Sequence, residues 1–309
     1  MRVVVTGGCG FIGSHIVERL IKEKHEVLVI DNLSTGKIEN INLNEVIFHQ
    51  IDILDQNLND IFHQFKPRIV YHLAAQIDIQ KSMKDPKFDA DSNIKGTISL
   101  LECCRNVGVR KIIYASSAAI YGNPLYLPID EKHSKIPLSF YGLSKFTPES
   151  YIKLFSELHD LKYTILRYAN VYGERQDYKG EGGVVSIFLN KILKNEAPYI
   201  NGDGEQSRDF IYVKDIAEAN LAVMDAGDNE IYNISTNIPT KINTLYQNII
   251  LSCARTHIMP IYKESRKGDI LDSYLDNQKI KTHLGWEPKY TLIDGIKETL
   301  RNQRSNNLL

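Results

Sequence analysis

The chain has 309 residues, 43% hydrophobic and 24% charged, with 37 basic residues against 38 acidic ones, which is enough for one large or two modest soluble domains. A formal net charge of -1 supplies no long-range field toward phosphate backbones or an anionic surface, so neither nucleic acid nor membrane is an expected partner. No apolar run approaches the roughly 20 residues of a spanning helix, and the opening MRVVVTGG reads as a strand entering a glycine turn rather than a signal sequence, pointing to a cytoplasmic enzyme with a small-molecule substrate.

In chain order, β-rich runs at Arg2–Thr6, Glu26–Ile30, Val46–Gln50, Ile69–His72, Lys111–Ser116 and Tyr163–Arg167 alternate with segments of helical period. Between the first two, Ile12, Ile16, Val17, Leu20 and Ile21 make one apolar stripe while Glu18, Arg19, Lys22 and Glu23 take the wet side. Repeated strand–helix–strand units build a parallel sheet covered on both faces, so the fold class is α/β, with residues 1–168 forming one doubly wound Rossmann domain. Cys103 and Cys104 fall in an apolar helical stretch and, with Cys9 and Cys253, are expected as free thiols. Past Arg167 the alternation yields to turn-rich stretches, Gly173–Gly183 and Asn201–Gln206, and to helices over Val184–Lys194 and Val213–Ala226. Residues 169–309 therefore read mostly as a smaller substrate-binding lobe, with Ile231–Ile234 returning to the main sheet and the polar Arg301–Leu309 fraying.

Gly7, Gly10 and Gly13 stand three apart between the first strand and first helix, with Phe11 and Ile12 opening that helix, which is the context a dinucleotide fingerprint requires. The glycines let the backbone approach a pyrophosphate, and the helix start offers unpaired N–H groups. Asp31 ends the second strand where a carboxylate accepts from the adenosine ribose and repels a 2′-phosphate, so the expected cofactor is NAD rather than NADP. Asp52 and Ile53 after the third strand, and Leu73, Ala74 and Ala75 after the fourth, occupy the same sheet edge. No metal site is assigned.

Tyr141 and Lys145 are four apart, hence on one side of a helix. A fixed ammonium one turn away, with an oxidised nicotinamide, favours the phenolate and makes a general base. Ser116 and Ser117 close the fifth strand, where a hydroxyl can hold a substrate oxygen.

These residues, in TGGCGFIGSHI, DNLSTG, SSAAIYG and YGLSK, resemble the extended short-chain dehydrogenase/reductase superfamily, most closely its UDP-glucose (UDP-hexose) 4-epimerase family. The likeness runs through the whole chain, with RYANVYG at 167–173, SRDFIYVKD at 207–215, RKGD at 266–269 and LGWEPKY at 284–290 in the family's order. It implies that Tyr141 is the base, that Lys145 binds the nicotinamide ribose, and that Ser117 hydrogen-bonds the reacting hydroxyl. Asn32, Ser34, Thr35 and Gly36 then line the adenosine end, Asn93 and Tyr168 lie near the cofactor, and Asn170, Arg208, Arg266 and Asp269 hold the uridine diphosphate. The implied reaction inverts C4 of UDP-glucose and UDP-galactose through a 4-keto intermediate, with NAD regenerated each cycle and a homodimer as the assembly.

Ala118 and Ala119 after Ser117, and Leu143 and Ser144 inside the YxxxK spacer, leave no acid where dehydratases and decarboxylases of the superfamily carry one. Such a dehydratase or reductase, or a non-catalytic NAD-binding regulator, are the alternatives. Ser273, four after Asp269, stands where family members with a tyrosine exclude an acetamido group, which implies that UDP-N-acetylglucosamine and UDP-N-acetylgalactosamine are also interconverted. Ile77 replaces a lysine of some epimerases, implying weaker cofactor retention. Pro148, inside the expected helix, predicts a kink just after the catalytic turn.

Overall fold

The computed structural model describes residues 1–178, 183–265, 268 and 270–306, with the backbone alone for 304–306. In chain order its elements are β1 (Arg2–Thr6), α1 (Phe11–Lys22), β2 (Glu26–Ile30), β3 (Ile47–His49), α2 (Leu58–Phe65), β4 (Ile69–His72), α3 (Ile79–Lys84), α4 (Pro86–Ala90), α5 (Gly96–Val107), β5 (Lys111–Ser117), α6 (Phe140–His159), β6 (Lys162–Tyr168) and β7 (Asn170–Tyr172). There follow α7 (Val184–Leu193), β8 (Tyr199–Asn201), β9 (Ser207–Arg208), β10 (Phe210–Tyr212), α8 (Val213–Ala222), β11 (Glu230–Ile234), β12 (Thr240–Lys241), α9 (Ile242–Ser252), β13 (Ile261–Lys263), β14 (Asp272–Ser273), α10 (Gln278–Leu284) and α11 (Leu292–Asn306).

Seven parallel strands form the main sheet in the order β11-β6-β5-β4-β1-β2-β3. The strand order reverses between β1 and β4, and ligands of open parallel sheets bind outside the carboxyl ends at such a switch point. Period-two alternation divides the strand side chains between two cores. Val3, Val5, Val27, Val29 and Tyr71 pack on one face with Ile16, Leu20, Ile216 and Trp286, while Val4, Leu28, Val70, Ile112 and Ile165 pack on the other with Phe62, Leu101 and Ile152. Each such fully buried aliphatic side chain stabilises the fold by about 1.5–3 kcal/mol. A separate core of Phe188, Leu189, Ile192, Phe210, Leu245, Ile249, Ile296 and Leu300 holds the smaller part together.

The expected return of Ile231–Ile234 is present as β11 beside β6. Arg301 to Asn306 continue α11, to which Leu292, Ile296 and Leu300, four apart, give an apolar stripe; residues 307–309 lie outside the described residues. Helix α6 runs through Pro148 to His159. The ring removes one N–H from the helix ladder, while the buried Ile152 on the following turn stays in the core beneath the sheet.

Candidate active site

The glycine turn is shaped by contact with the switch point. Gly7 has φ +69°, and a Cβ there would lie 2.7 Å from the backbone nitrogen of Ala74; a Cβ on Gly13 would lie 2.1 Å from the carbonyl oxygen of Gly7. Side chains at these positions would push the β1 turn off both β4 and its own helix. Leu73 N–H donates to the Thr6 carbonyl and Ala74 N–H to Thr6 Oγ1, so the two strand ends are tied together. Gly10 caps α1 without a side-chain acceptor, which leaves the N–H groups around Phe11 and Ile12 facing the crevice.

Asp31 is buried at the end of β2, where Oδ2 accepts from Cys9 N–H at 2.9 Å and Oδ1 from Leu33 N–H at 2.8 Å; burial raises its pKa. Each oxygen keeps acceptor capacity for a further donor. Asn32 donates to Asp52 Oδ2 at 2.7 Å and accepts from Ser34 N–H at 2.9 Å, so Asn32, Ser34, Thr35, Gly36 and Asp52 form one rim. Ile53 is buried beneath it. Ile77 is exposed on the loop after β4.

Helix α6 opens at Ser139, whose Oγ accepts from Gly142 N–H at 3.0 Å. This fixes the first turn, and Tyr141 N–H donates to Ser82 Oγ of α3 at 3.1 Å. Burial raises the pKa of the half-buried Tyr141 phenol, the Ser117 hydroxyl opposes the rise, and the charge of Asp89 adds to it. Lys145 is 4% exposed, with Nζ 4.5 Å from the centre of the Tyr114 ring. Burial pushes its ammonium down to about 7, against the pull of Glu149 and Asp89. Without the cofactor's charge, burial is the dominant influence on the phenol and on the ammonium alike.

Ser116 and Ser117 point to opposite sides of β5. Ser116 Oγ donates to Glu149 Oε1 at 2.7 Å and belongs to a buried network in which Glu149 grips Arg167 twice, at 2.6 and 3.0 Å. Ser117 alone serves the crevice. Below it His72, pushed down to about 3 by burial, bridges the hydroxyls of Thr6 and Thr97.

Asn93 is buried on a π-helical turn over Asp91–Lys95, donating to Ser144 Oγ at 2.8 Å and the Gln76 carbonyl at 2.9 Å. It thus clamps the YxxxK segment to the loop after β4. Tyr168, at the carboxyl end of β6, exchanges hydrogen bonds with Asn220 of α8, so its hydroxyl is already engaged. In the smaller part, Asn170 donates to the Asp209 carbonyl, and Arg208 of β9 stands in register with Ser273 of β14. Arg208 Nη1 donates to the carbonyls of Ser207 and Leu271. Arg266 and Asp269 lie outside the described residues.

Sequence reasoning missed two residues. Asp209 is 1% exposed, accepts from Thr236 N–H and Oγ1, Asn237 N–H and Leu275 N–H, and so holds Asn170, Arg208 and the Ser273 segment in one place. Burial pushes its carboxyl up to about 6. Asp89 is the other; its spacing of four from Asn93 on helical backbone was the available signal.

Residues 3–235 match the NAD dependent epimerase/dehydratase family. The chain belongs to that family. A UDP-glucose 4-epimerase of Mycolicibacterium smegmatis is 38% identical over 306 residues, covering 97% of each chain. The crystal structure of a UDP-glucose 4-epimerase with UDP-glucose, from Thermotoga maritima, is 44% identical and superposes with a TM-score of 0.97 over 99% of this chain and 100% of that one. A UDP-N-acetylglucosamine 4-epimerase of Methanobrevibacter ruminantium, in complex with UDP-N-acetylmuramic acid, is 37% identical with a TM-score of 0.94 over 99% and 98%. The family's NAD fits the residues present, since a Cβ at Gly7 or Gly13 would fill the turn, the α1 N-terminus is open, and Asp31 has acceptor capacity to spare.

Proposed function

We propose that this NAD-dependent family member inverts C4 of UDP-hexoses, interconverting UDP-glucose and UDP-galactose, and UDP-N-acetylglucosamine and UDP-N-acetylgalactosamine. The observation that carries this reading is the placement of Tyr141 and Lys145 one turn apart on α6, with Ser117 at the carboxyl end of β5, beside the glycine turn.

When bound, NAD supplies the acceptor and returning donor of hydride at the sugar's C4. The turn of Gly7, Gly10, Phe11, Ile12 and Gly13 holds its pyrophosphate, Asp31 with Asn32, Ser34, Thr35 and Gly36 its adenosine, and Asp52, Ile53, Leu73, Ala74 and Ala75 line the cradle. Lys145 donates to the nicotinamide ribose, which replaces the water its ammonium has lost. Ser117 holds the 4-hydroxyl while Tyr141 takes that proton at its phenol oxygen and later gives it back. Asn93 fixes Ser144, and through it the orientation of both groups. Tyr168 would lie near the cofactor, with its hydroxyl engaged by Asn220. Asn170, Arg208, Arg266 and Asp269 hold the diphosphate and uridine, a leash that anchors the nucleotide while the sugar turns over. Ser273 leaves space beside C2.

The substrate lobe comprises most of residues 169–309, set on the Rossmann domain of residues 1–168. A homodimer is supported by the exposed apolar residues of α6, Phe140, Leu143, Tyr151, Leu154 and Leu158. Four buried cysteines, none in a disulfide, suit the reducing cytoplasm. The test is to incubate purified protein with each of the four UDP-sugars and separate the products. Equilibrium mixtures of both pairs without net NADH support the reading, whereas a lasting keto sugar or no reaction contradicts it.

A further inference from the structure

Asp89 sits on α4 with its side chain 1% exposed. Its Oδ1 accepts from Gln76 Nε2 at 2.7 Å and from Asn93 Nδ2 at 3.4 Å, while Oδ2 is buried with no hydrogen-bond partner. The same Asn93 amide reaches Ser144, the residue between the catalytic tyrosine and lysine. A buried carboxylate with an unfilled oxygen is costly to fold, and it persists where its charge is balanced by something nearby. The nearby cation on which this charge acts through space is Lys145 of α6, the helix packed against α4.

We propose that Asp89 is a positioning residue for the Tyr141–Lys145 pair, its buried negative charge holding Lys145 in the ammonium form and setting the pH at which Tyr141 ionises. The charge reaches both groups through space, and the Asn93–Ser144 bridge fixes the geometry over which it acts. The titratable and charged groups at this point are Tyr141, Lys145 and Glu149 on α6, Tyr114 on β5 and His72 on β4, with Lys81 of α3 held over the Phe88 ring beside Asp89. Glu149 is committed to Arg167, and His72 is neutral between two hydroxyls. Asp89 is therefore the carboxylate near the pair with no cation of its own. A negative charge makes both the phenol and the ammonium harder to deprotonate, and Asp89 acts in that direction on each.

The proposal rests on the proposed function only where activity is measured. The deciding experiment is an ultraviolet titration of the purified chain with its bound cofactor, taken as the difference from the Tyr141→Phe chain so that one phenol of the 17 is isolated, and repeated with Asp89→Asn in both backgrounds. Removing the charge should lower the midpoint by about one pH unit. With UDP-galactose, both limbs of the kcat/KM profile should move to lower pH, and Asp89→Glu should keep the midpoint of the parent. If Asp89→Asn does not fold, Asp89→Ser carries the same expectation. An unmoved or raised midpoint overturns the proposal, even where turnover is lost, since a purely structural role lowers the rate without shifting the titration. Failure of the parent chain to act on any UDP-hexose would instead sink the proposed function and leave the titration to decide this point.

Discussion

Replacing Glu149 by glutamine removes one charge from a pair that is shut off from water on both sides, Glu149 being 0% and Arg167 1% exposed. The carboxylate makes two bonds to the guanidinium, at 2.6 and 3.0 Å, and accepts a third from Ser116 at 2.7 Å. A glutamine of the same shape keeps one acceptor oxygen but turns an NH₂ toward donors, and it leaves the Arg167 charge uncompensated. Breaking a buried pair from one side costs about 3–5 kcal/mol, and the retained oxygen places this change near 3. For a chain of this length that lowers Tm by roughly 5 °C. The assay is urea unfolding followed by far-ultraviolet circular dichroism, with the midpoint compared at constant m-value. Removing both charges together, as Glu149→Leu with Arg167→Met, should recover most of the loss, because apolar groups of similar volume can replace a buried pair at little cost. A loss below about 1 kcal/mol in Glu149→Gln, or a double variant no more stable than either single one, would refute the reasoning.

Lys145→Met should alter stability in a pH-dependent way. A lysine held at about 7 in the fold and near 10.4 unfolded binds fewer protons when folded between those values, so its contribution is complete at high pH and is lost as pH falls through about 7. The methionine chain should therefore gain on the parent in thermal melts as pH drops from 10 to 6; a constant difference would contradict the burial argument. Ser273→Tyr should abolish turnover of the acetylated UDP-sugars while sparing UDP-galactose, and equal loss of both would place the selective contact elsewhere. Denatured protein should release NAD and no NADP, because Asp31 repels a 2′-phosphate; recovery of NADP would overturn its assignment.

Where the fold depended on local pattern, the sequence was readable. The stripe from Ile12 to Ile21 defined α1, and the glycines at 7, 10 and 13 marked its N-terminus. Tyr141 and Lys145 were legible as a pair because helical geometry alone brings residues four apart together. Long-range polar pairing was not legible. Nothing in RYANVYG shows that Arg167 ends against a buried carboxylate from α6, and nothing near Asp89 in sequence announces its neighbours on that helix. Such partners are set by how α4 and α6 pack, which the period of either helix leaves open. Proximity of Tyr141 to a lysine was visible in the sequence, but the burial acting on both groups was not. The apolar residues at 292, 296 and 300 carry α11 on into the polar residues from Arg301 onward.

The central claim is that Tyr141 moves the proton of the reacting hydroxyl. Turnover of UDP-galactose by Tyr141→Phe, measured beside the parent chain with the bound NAD of each quantified, tests it most directly. The account predicts a rate lower by about 10²–10⁴-fold with NAD occupancy unchanged, as deletion of a general base requires. Retention of more than about a tenth of the parent rate at equal occupancy would contradict it.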